Sequence, residues 1–263
     1  MAENSGISWC DHTFNPWLGC TKVSPACDNC YAETWDRRFG GERWGPRAER
    51  TRTKAQNWNK VRRWQRAAAA SGASAIVFCA SLADVFDNHR SIGPAWRADL
   101  WSLIRETPDL VWMLLTKRPQ NIMRMLPDDW GAGYANVALG ASVENQEEHD
   151  RRAPVLAAVP ARARFFSMEP LLGPVRLDPD VLAGPVRYVI VGGESGAGAR
   201  TMRPEWARAA RDHCLAAGVG FHFKQWGEFG ADGVRVGADA AGRLLDGVAH
   251  QDRITALFGE GRP

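Results

Sequence analysis

Short apolar runs alternate with helical stretches along this chain, and each run is bounded by glycine, proline or charged residues. Runs of this length, rich in β-branched and aromatic residues, predict buried strands. The six runs lie at residues 75–80, 110–116, 136–142, 164–169, 187–193 and 220–225. Apolar residues at helical spacing predict helices at 95–105, 119–125, 147–158 and 204–217. The strands recur every 25–35 residues or so, at roughly the period of βα units and not of a β-sandwich. The pattern therefore predicts one parallel α/β sheet, open or closed into a barrel.

Polar residues follow the predicted strands at the points where the strands end. The carboxyl ends of parallel strands line the ligand site in α/β folds, so we expect these residues to share one mouth. They are Ser81, Asp84, Thr116, Lys117, Arg118, Ser142, Glu144, Ser167, Glu169, Gly192, Gly193, Glu194, Lys224 and Gln225. For any single carboxylate the alternative is a helix cap or a surface ion pair. The glycine pair lacks the Gly-Lys-Ser/Thr ending of a phosphate loop, and we expect it to let a ligand approach the backbone closely.

The composition indicates a globular chain with a sizeable core. Of the 263 residues, 45% are hydrophobic and 24% are charged, with no apolar run long enough to predict a membrane span. The first residues show neither a basic nor an apolar signal region, so the cytoplasm is the expected compartment. In that compartment the six cysteines are not expected to form a disulfide framework. We expect one domain over residues 1–229 and a small appendage over 230–263.

Three cysteines share one short loop, residues 19–31, which precedes a predicted helix starting at Tyr31. They are Cys20, Cys27 and Cys30, at the spacing C-x6-C-x2-C. Three thiolates in a reducing compartment indicate a metal, because burying them without a cation is electrostatically unfavourable. Zinc would take a fourth ligand from Cys10 or His12, whereas a four-iron cluster on three cysteines leaves one iron open. Cys79 and Cys214 lie in a predicted strand and helix, where inert buried thiols are common.

The small formal charge of +3 hides a basic segment at residues 37–66. Nine Arg and two Lys stand there against two Glu, so the segment carries +9 and the rest of the chain −6. Trp35, Trp44, Trp58 and Trp64 lie in or beside it. Guanidinium groups next to indole rings suit phosphate neutralisation with base stacking, which predicts a nucleic-acid or nucleotide surface. The alternative is a solvated helix face whose tryptophans pack beneath long Arg stems.

Several sequence blocks, in order over nearly the whole chain, resemble those of the phage Gp37/Gp68-type family (DUF5131), a radical-SAM-like group. The first two blocks surround the three cysteines, and the others follow the predicted strands or lie in the tail. They span residues 9–20, 27–33, 114–119, 140–145, 166–173, 192–196, 223–228 and 241–247.

The resemblance implies a partial (β/α) barrel of the radical-SAM type with an N-terminal three-cysteine cluster loop. In such a protein Cys20, Cys27 and Cys30 would hold a [4Fe-4S] cluster, and S-adenosylmethionine would chelate the fourth iron. The better-known loop of this kind has the spacing C-x3-C-x2-C, three residues shorter in its first interval. Tyr31, which directly follows Cys30, resembles the aromatic residue that commonly follows the last cysteine of such a loop and lies near the adenine of S-adenosylmethionine. By position, the groups implied for the ribose, amino and carboxylate of S-adenosylmethionine are Ser142, Glu144, Glu169, Gly192, Gly193 and Glu194.

The function expected from the resemblance and the charge pattern is repair or modification of DNA or a nucleotide through a 5′-deoxyadenosyl radical. Cys79 is the candidate hydrogen-atom donor, and a reductant such as flavodoxin or ferredoxin is an expected partner. The residues expected to meet the substrate are Arg37, Arg38, Trp44, Arg47, Arg50, Arg52, Lys54, Thr116, Lys117, Arg118 and Lys224. The alternatives are a non-catalytic zinc- or iron-sulfur-bearing nucleic-acid-binding protein, and a radical enzyme acting on a peptide or small metabolite.

Overall fold

A curled sheet of seven parallel strands forms a half-barrel in the computed structural model, which describes residues 2–258. The strands are β1 (His12–Phe14), β2 (Trp17–Leu18), β3 (Thr51–Arg52), β4 (Ala75–Cys79), β5 (Leu110–Thr116), β6 (Val137–Ser142), β7 (Ala163–Met168), β8 (Tyr188–Gly192) and β9 (Gly220–Gln225). In the half-barrel the strand order is β1-β4-β5-β6-β7-β8-β9, so each strand of this sheet lies next to the one that follows it in the chain. A separate antiparallel pair joins β2 to β3.

The six predicted strands are confirmed as β4 to β9, each within one residue at either end. Strands β4 to β8 are almost entirely buried, which explains their largely apolar sequences, whereas β9 is buried only at its centre. The sequence pattern did not predict β1, a three-residue strand that pairs with β4 through His12 opposite Val77. This strand places the segment before the cysteine loop at one edge of the sheet.

The helices are α1 (Tyr31–Arg38), α2 (Ala55–Ser71), α3 (Pro94–Arg105), α4 (Gln146–Ala157), α5 (Pro179–Ala183), α6 (Pro204–Ala217) and α7 (Ala238–Ala241). Three of the four predicted helices are confirmed as α3, α4 and α6, and the helix expected from Tyr31 is α1. The prediction of a helix at 119–125 was wrong, because that segment forms two short 3₁₀ turns. Leu126, the residue before Pro127, is extended, as proline requires of its predecessor, and this ends the helical path. None of the helices described is long and apolar enough to cross a membrane.

Helix α2 explains half of the tryptophans near the basic segment. Its buried residues include Trp58, Val61 and Trp64, which repeat at the spacing of one helix face. Trp64 stacks on His12, and the Arg52 guanidinium lies 4.8 Å from the ring centre of Trp58. Trp58 and Trp64 are therefore core residues beneath Arg stems, as the alternative interpretation expected.

Strand alternation divides the core between two faces of the sheet. Phe78 belongs to the cluster on the inner, concave face, whereas its neighbour Cys79 belongs to the cluster between the sheet and the helices. Trp9 closes the inner face against Phe78, with ring centres 4.7 Å apart, and Ile254 from the tail is fully buried in the same cluster. Both ends of the described chain thus complete the core inside the curled sheet.

Candidate functional site

A cavity of about 360 Å³ lies at the carboxyl ends of the strands, beneath the cysteine loop. Its lining includes most of the strand-end residues that the sequence singled out, so the prediction of a shared mouth matches the geometry. They are Ser81, Asp84, Thr116, Lys117, Arg118, Ser142, Ser167, Glu169, Gly193, Glu194, Lys224 and Gln225. Cys20, Cys27, Cys30 and Tyr31 line the same cavity from the loop and the start of α1. A volume of this order is that of a small-molecule site.

The three loop cysteines are free thiols that share one cavity wall. Cys20 is held by a bridge to Trp44, and the adjacent Gly19 bridges to Ala83. A guanidinium nitrogen of Arg118 lies 3.6 Å from the Cys20 sulfur. Burial, reinforced by the Asp84 carboxylate, raises the pKa of Cys20 to about 11. The free thiol is therefore neutral at pH 7, and a metal would have to displace its proton.

The described residues do not form a compact ligand set for a single metal ion. Within residues 2–258, no three histidine, cysteine or carboxylate side chains stand close enough together to surround one metal ion. A tetrahedral zinc holds its thiolates at 2.3 Å and therefore about 3.8 Å from one another, whereas each cysteine of a cluster binds its own iron. Cys10 and His12 lie elsewhere, since Cys10 is buried on the inner face of the sheet and His12 stacks on Trp64.

Arg118 anchors the beginning of the cysteine loop to the end of β5. Its guanidinium donates to the Asp84 carboxylate at 2.9 Å and to the carbonyl of Thr21 at 2.7 Å. Asp84 also accepts from the Thr116 hydroxyl at 2.7 Å. Arg118 and Thr116, predicted to meet a substrate, therefore serve mainly to hold the segment that carries Cys20.

Glu144 anchors the middle of the loop and does not line the cavity. Its carboxylate is fully buried, pairs with Arg152 at 2.8 Å and accepts the backbone N–H of Ala26 at 3.4 Å. Arg152 also pairs with Glu148 at 2.8 Å. Both oxygens of Glu144, which was predicted to bind S-adenosylmethionine, are engaged by the protein in this structure, and its carboxylate is not part of the cavity lining.

Glu194 anchors the end of the loop from the residues that follow β8. Its carboxylate accepts from Asn29, which lies between Cys27 and Cys30, at 3.1 Å. It also pairs with Arg200 at 2.7 Å, and Arg200 donates to the Pro25 carbonyl at 2.9 Å. Burial raises the pKa of Glu194, but the Arg200 and Asn29 hydrogen bonds outweigh it and hold the pKa below its usual value.

Several polar groups of the cavity remain available to a ligand. The Ser142 hydroxyl is buried and has no hydrogen-bond partner in the described part of the chain. Lys117 forms no ion pair with any described residue. Glu169 accepts from Ser167 at 3.1 Å and pairs with Lys224 at 2.8 Å. The buried Ser142 hydroxyl without a partner and the Lys117 ammonium without an ion pair therefore fit a polar ligand in the same cavity.

Gly192 and Gly193, at the end of β8, were expected to let a ligand approach the backbone, but the structure gives another reason for the glycine at 193. A β-carbon on Gly193 would lie 1.7 Å from the Trp226 carbonyl oxygen, so the backbone of the segment after β9 excludes any side chain there. A β-carbon on Gly192 would meet Glu169 and Lys224 at 3.5 Å, an ordinary contact. The close approach that requires glycine at 193 is therefore made by the protein and not by a ligand.

Cys79 lies on the wrong face of β4 to serve as a hydrogen-atom donor. Its neighbours Phe78 and Ala80 line the cavity, whereas Cys79 is fully buried in the cluster between the sheet and the helices. Because successive side chains of a strand point to opposite faces, the position of Cys79 at the end of β4 does not bring its thiol to the cavity. Burial raises the pKa of this thiol well above its usual value.

Ion pairs neutralise much of the basic segment. Arg50 is the clearest case: its side chain is fully buried, pairs with Asp87 at 2.9 Å and donates to Thr21, so it cannot meet a phosphate. The other paired residues are Arg37 with Glu33, Arg43 with Asp36, Arg52 with Asp99, Arg62 with Glu106 and Arg63 with Glu3. Arg38, Arg47, Lys54, Lys60 and Arg66 are exposed and form no ion pair with described residues. Of the segment, Trp44 lines the cavity.

Sequence reasoning missed the residues that position the cysteine loop. Arg152 and Arg200 pair with nearby carboxylates, Glu144 and Glu194, but the contacts that connect these pairs to the cysteine loop join residues more than 100 positions apart. Asn29 lies between Cys27 and Cys30. Its side-chain amide, which can link the loop to a strand end by hydrogen bonds, is a signal that the sequence did contain. The Tyr31 hydroxyl donates to the Ser81 carbonyl at 2.7 Å and ties α1 to the end of β4.

A parallel half-barrel whose open end holds three free thiols and a polar cavity defines an α/β protein with a thiol-lined ligand site. The chain belongs to the family described as "Protein of unknown function (DUF5131)", which matches residues 4–253. No curated protein and no solved structure matches it. The assignment to DUF5131 made from the sequence blocks is thereby confirmed, whereas its phage Gp37/Gp68 and radical-SAM parts stay predictions and the description leaves the activity of the family open.

Proposed function

We propose that this protein is a radical-SAM-like enzyme whose [4Fe-4S] cluster is held by Cys20, Cys27 and Cys30. The observation that supports this most strongly is the sharing of one cavity by three free thiols and the carboxyl ends of the parallel strands. A cluster on three cysteines keeps one iron open to a ligand in that cavity. When bound, the cluster supplies the electron that cleaves S-adenosylmethionine and so generates a carbon radical able to abstract hydrogen.

The residues of the chain would bind and orient the cofactor and shield it from water. Ser142 offers a buried hydroxyl, and Lys224 with Glu169 offers one cationic and one anionic group for a zwitterionic amino acid. Tyr31 lines the cavity next to Cys30 and is held by its hydrogen bond to the Ser81 carbonyl. Arg118, Glu144 and Arg200 hold the loop that carries the thiols, and they are positioning residues in this proposal.

DNA or a nucleotide is the proposed substrate, presented at the mouth of the cavity. The support is the set of exposed basic residues without acidic partners, of which Arg38 and Arg47 flank Trp44 in the chain. Unpaired cationic side chains attract phosphates, whereas those already paired contribute little. The proposal therefore rests on fewer residues than the sequence alone indicated.

Production of 5′-deoxyadenosine tests the activity. The cluster-reconstituted protein would be reduced anaerobically with dithionite in the presence of S-adenosylmethionine, with and without single-stranded DNA. We expect 5′-deoxyadenosine from the wild type and none above background from Cys27→Ala. The matched control is Cys214→Ala, a buried thiol on α6 remote from the loop, which should behave as wild type. Cluster-replete wild-type protein that never cleaves S-adenosylmethionine would contradict the proposal.

A radical enzyme acting on a peptide or small metabolite is the second candidate. The cavity volume of about 360 Å³ and the ion pairing of Arg37, Arg43, Arg50 and Arg52 favour it. Cleavage of S-adenosylmethionine without any binding of DNA or nucleotides would select this candidate over the first.

A further inference from the structure

Helix α1 leaves three aromatic rings uncovered along one side. Tyr31 is 57% exposed, Trp35 40% and Phe39, at its C-terminal cap, 65%. Residues four apart are neighbours on a helix surface, and the buried residues of α1 are centred roughly 100° around the axis from these three. Single exposed apolar residues are ordinary, but three in line form a patch that indicates a binding surface. We call these three residues the α1 stripe.

The α1 stripe begins at the cavity and leads away from it. Tyr31 lines the cavity and directly follows Cys30, the N-cap of α1. The rings of Trp35 and Phe39 contact each other, with centres 4.8 Å apart and planes tilted by 48°. Eight residues of helix span about 12 Å, so the stripe extends the wall of the cavity outward over that length.

The charges beside the stripe are complementary to a polyanion. Both acidic residues of α1, Glu33 and Asp36, are buried in ion pairs. Arg38 is exposed and has no acidic partner in residues 2–258. At about 100° per residue, Arg38 falls on the same side of the helix as Tyr31. The exposed side of α1 therefore combines aromatic faces with a free guanidinium and carries no free carboxylate.

We propose that the α1 stripe with Arg38 is a stacking platform for unpaired bases of a single-stranded nucleic acid, directed toward the cavity. The inference rests on the nucleic-acid half of the proposed function. Aromatic rings next to unpaired cationic groups are the shared chemistry of surfaces that bind single strands. Successive residues of the stripe lie about 6 Å apart along the axis, wider than the 3.4 Å rise of a duplex strand, so each base would stack on protein and not on its neighbour.

Oligonucleotide binding to stripe variants tests the platform. Fluorescence anisotropy would compare a labelled single-stranded oligonucleotide and its duplex on wild type, Trp35→Ala/Phe39→Ala and Arg38→Gln. We expect the double variant to bind the single strand at least about tenfold more weakly and the duplex equally well. Arg38→Gln should reduce the salt slope of binding by about one. The matched controls are Leu215→Ala, an exposed apolar residue on α6, and Arg162→Gln, an exposed arginine directly before β7 that forms no ion pair with described residues.

Two results would overturn the platform. One is a double variant that binds the single strand as the wild type does, with its fold verified by circular dichroism. The other is a loss of self-association or of a protein partner in the double variant with oligonucleotide binding unchanged, which would make the stripe a protein interface. The binding assay needs no reductant and therefore tests the platform separately from the chemistry. Stripe-dependent binding together with no 5′-deoxyadenosine in the separate dithionite assay would contradict the proposed chemistry alone. Formation of 5′-deoxyadenosine with stripe-independent DNA binding would contradict the platform alone.

Discussion

At the scale of single residues, pairing partners decide what a charged side chain does. Arg50 and Arg38 both belong to the basic segment, yet Arg50 is enclosed by Asp87 and Thr21 and Arg38 is free. A sequence lists both with the same charge, because the acids that neutralise an arginine lie far away in the chain. This is why the basic segment could be found from sequence, while its division into structural and available residues could not.

Removing Arg152 should destabilise the protein strongly. Its guanidinium is buried between Glu144 and Glu148, so Arg152→Met would leave the fully buried Glu144 without a cationic partner and Glu148 with Arg151 alone. We expect a loss of about 3–5 kcal/mol in the free energy of unfolding, measured by urea denaturation. Arg151→Met is the control on the same helix, because Arg151 is mostly exposed and pairs with Glu148 from the surface, and it should cost about 1 kcal/mol or less. Equal effects of the two substitutions would refute the assigned role of Arg152.

Gly193 and Gly192 should differ sharply in their tolerance of alanine. The β-carbon of Gly193→Ala would overlap the Trp226 carbonyl, and relief requires moving the backbone after β9. We expect Gly193→Ala to lower the free energy of unfolding by more than about 2 kcal/mol and Gly192→Ala to cost less than half as much. Thermal unfolding of the pair measures this difference, and a Gly193→Ala protein as stable as wild type would contradict the backbone contact.

At the scale of elements, most strands of the sheet were predictable because they are buried on both faces and therefore largely apolar, as in β5 and β8. Strand β1 was not, since three residues within a segment rich in tryptophan and cysteine carry too little pattern. Helix α2 was hidden by its arginines, although Trp58 and Trp64 recur at helical spacing on its buried side. The polar strand ends marked the cavity correctly because parallel strands bring their carboxyl ends to one edge.

The cysteine loop should lose hydrogen-exchange protection when the Arg200 guanidinium is removed. Arg200 joins Glu194 to the Pro25 carbonyl, so Arg200→Gln would release residues 24–30 from the end of β8. We expect hydrogen-exchange protection there to fall by about tenfold or more, the effect of losing a charge-assisted hydrogen bond of about 1.5–3 kcal/mol. Arg203→Gln is the control, because Arg203 is exposed and pairs loosely with Glu205 at 3.9 Å. Unchanged protection of the loop in Arg200→Gln would show that Arg200 is not needed to hold it against the end of β8.

At the scale of the whole molecule, the two ends of the chain close the inner face of the half-barrel and the cysteine loop covers its open end. The tail passes beside β9, where His222 bridges to Gln251 and the Tyr188 hydroxyl donates to the Asp252 carbonyl. The cavity that the thiols line reaches the inner side, where Trp9 and Phe78 form part of its wall. Composition and periodicity predicted the sheet, but the closure also depends on contacts such as Ser8 with His222 and Asp11 with Arg253, more than 200 positions apart, which no local pattern encodes.

The central claim is that Cys20, Cys27 and Cys30 form one iron-sulfur site at that opening. Iron, sulfide and zinc would be measured in anaerobically purified and reconstituted wild type, in the three single Cys→Ala variants and in the Cys79→Ala and Cys214→Ala controls. The account predicts about four irons and four sulfides per chain in the wild type and both controls, with a marked loss in each of the three loop variants. One zinc per chain without iron, or an iron content that does not depend on the three loop cysteines, would contradict it.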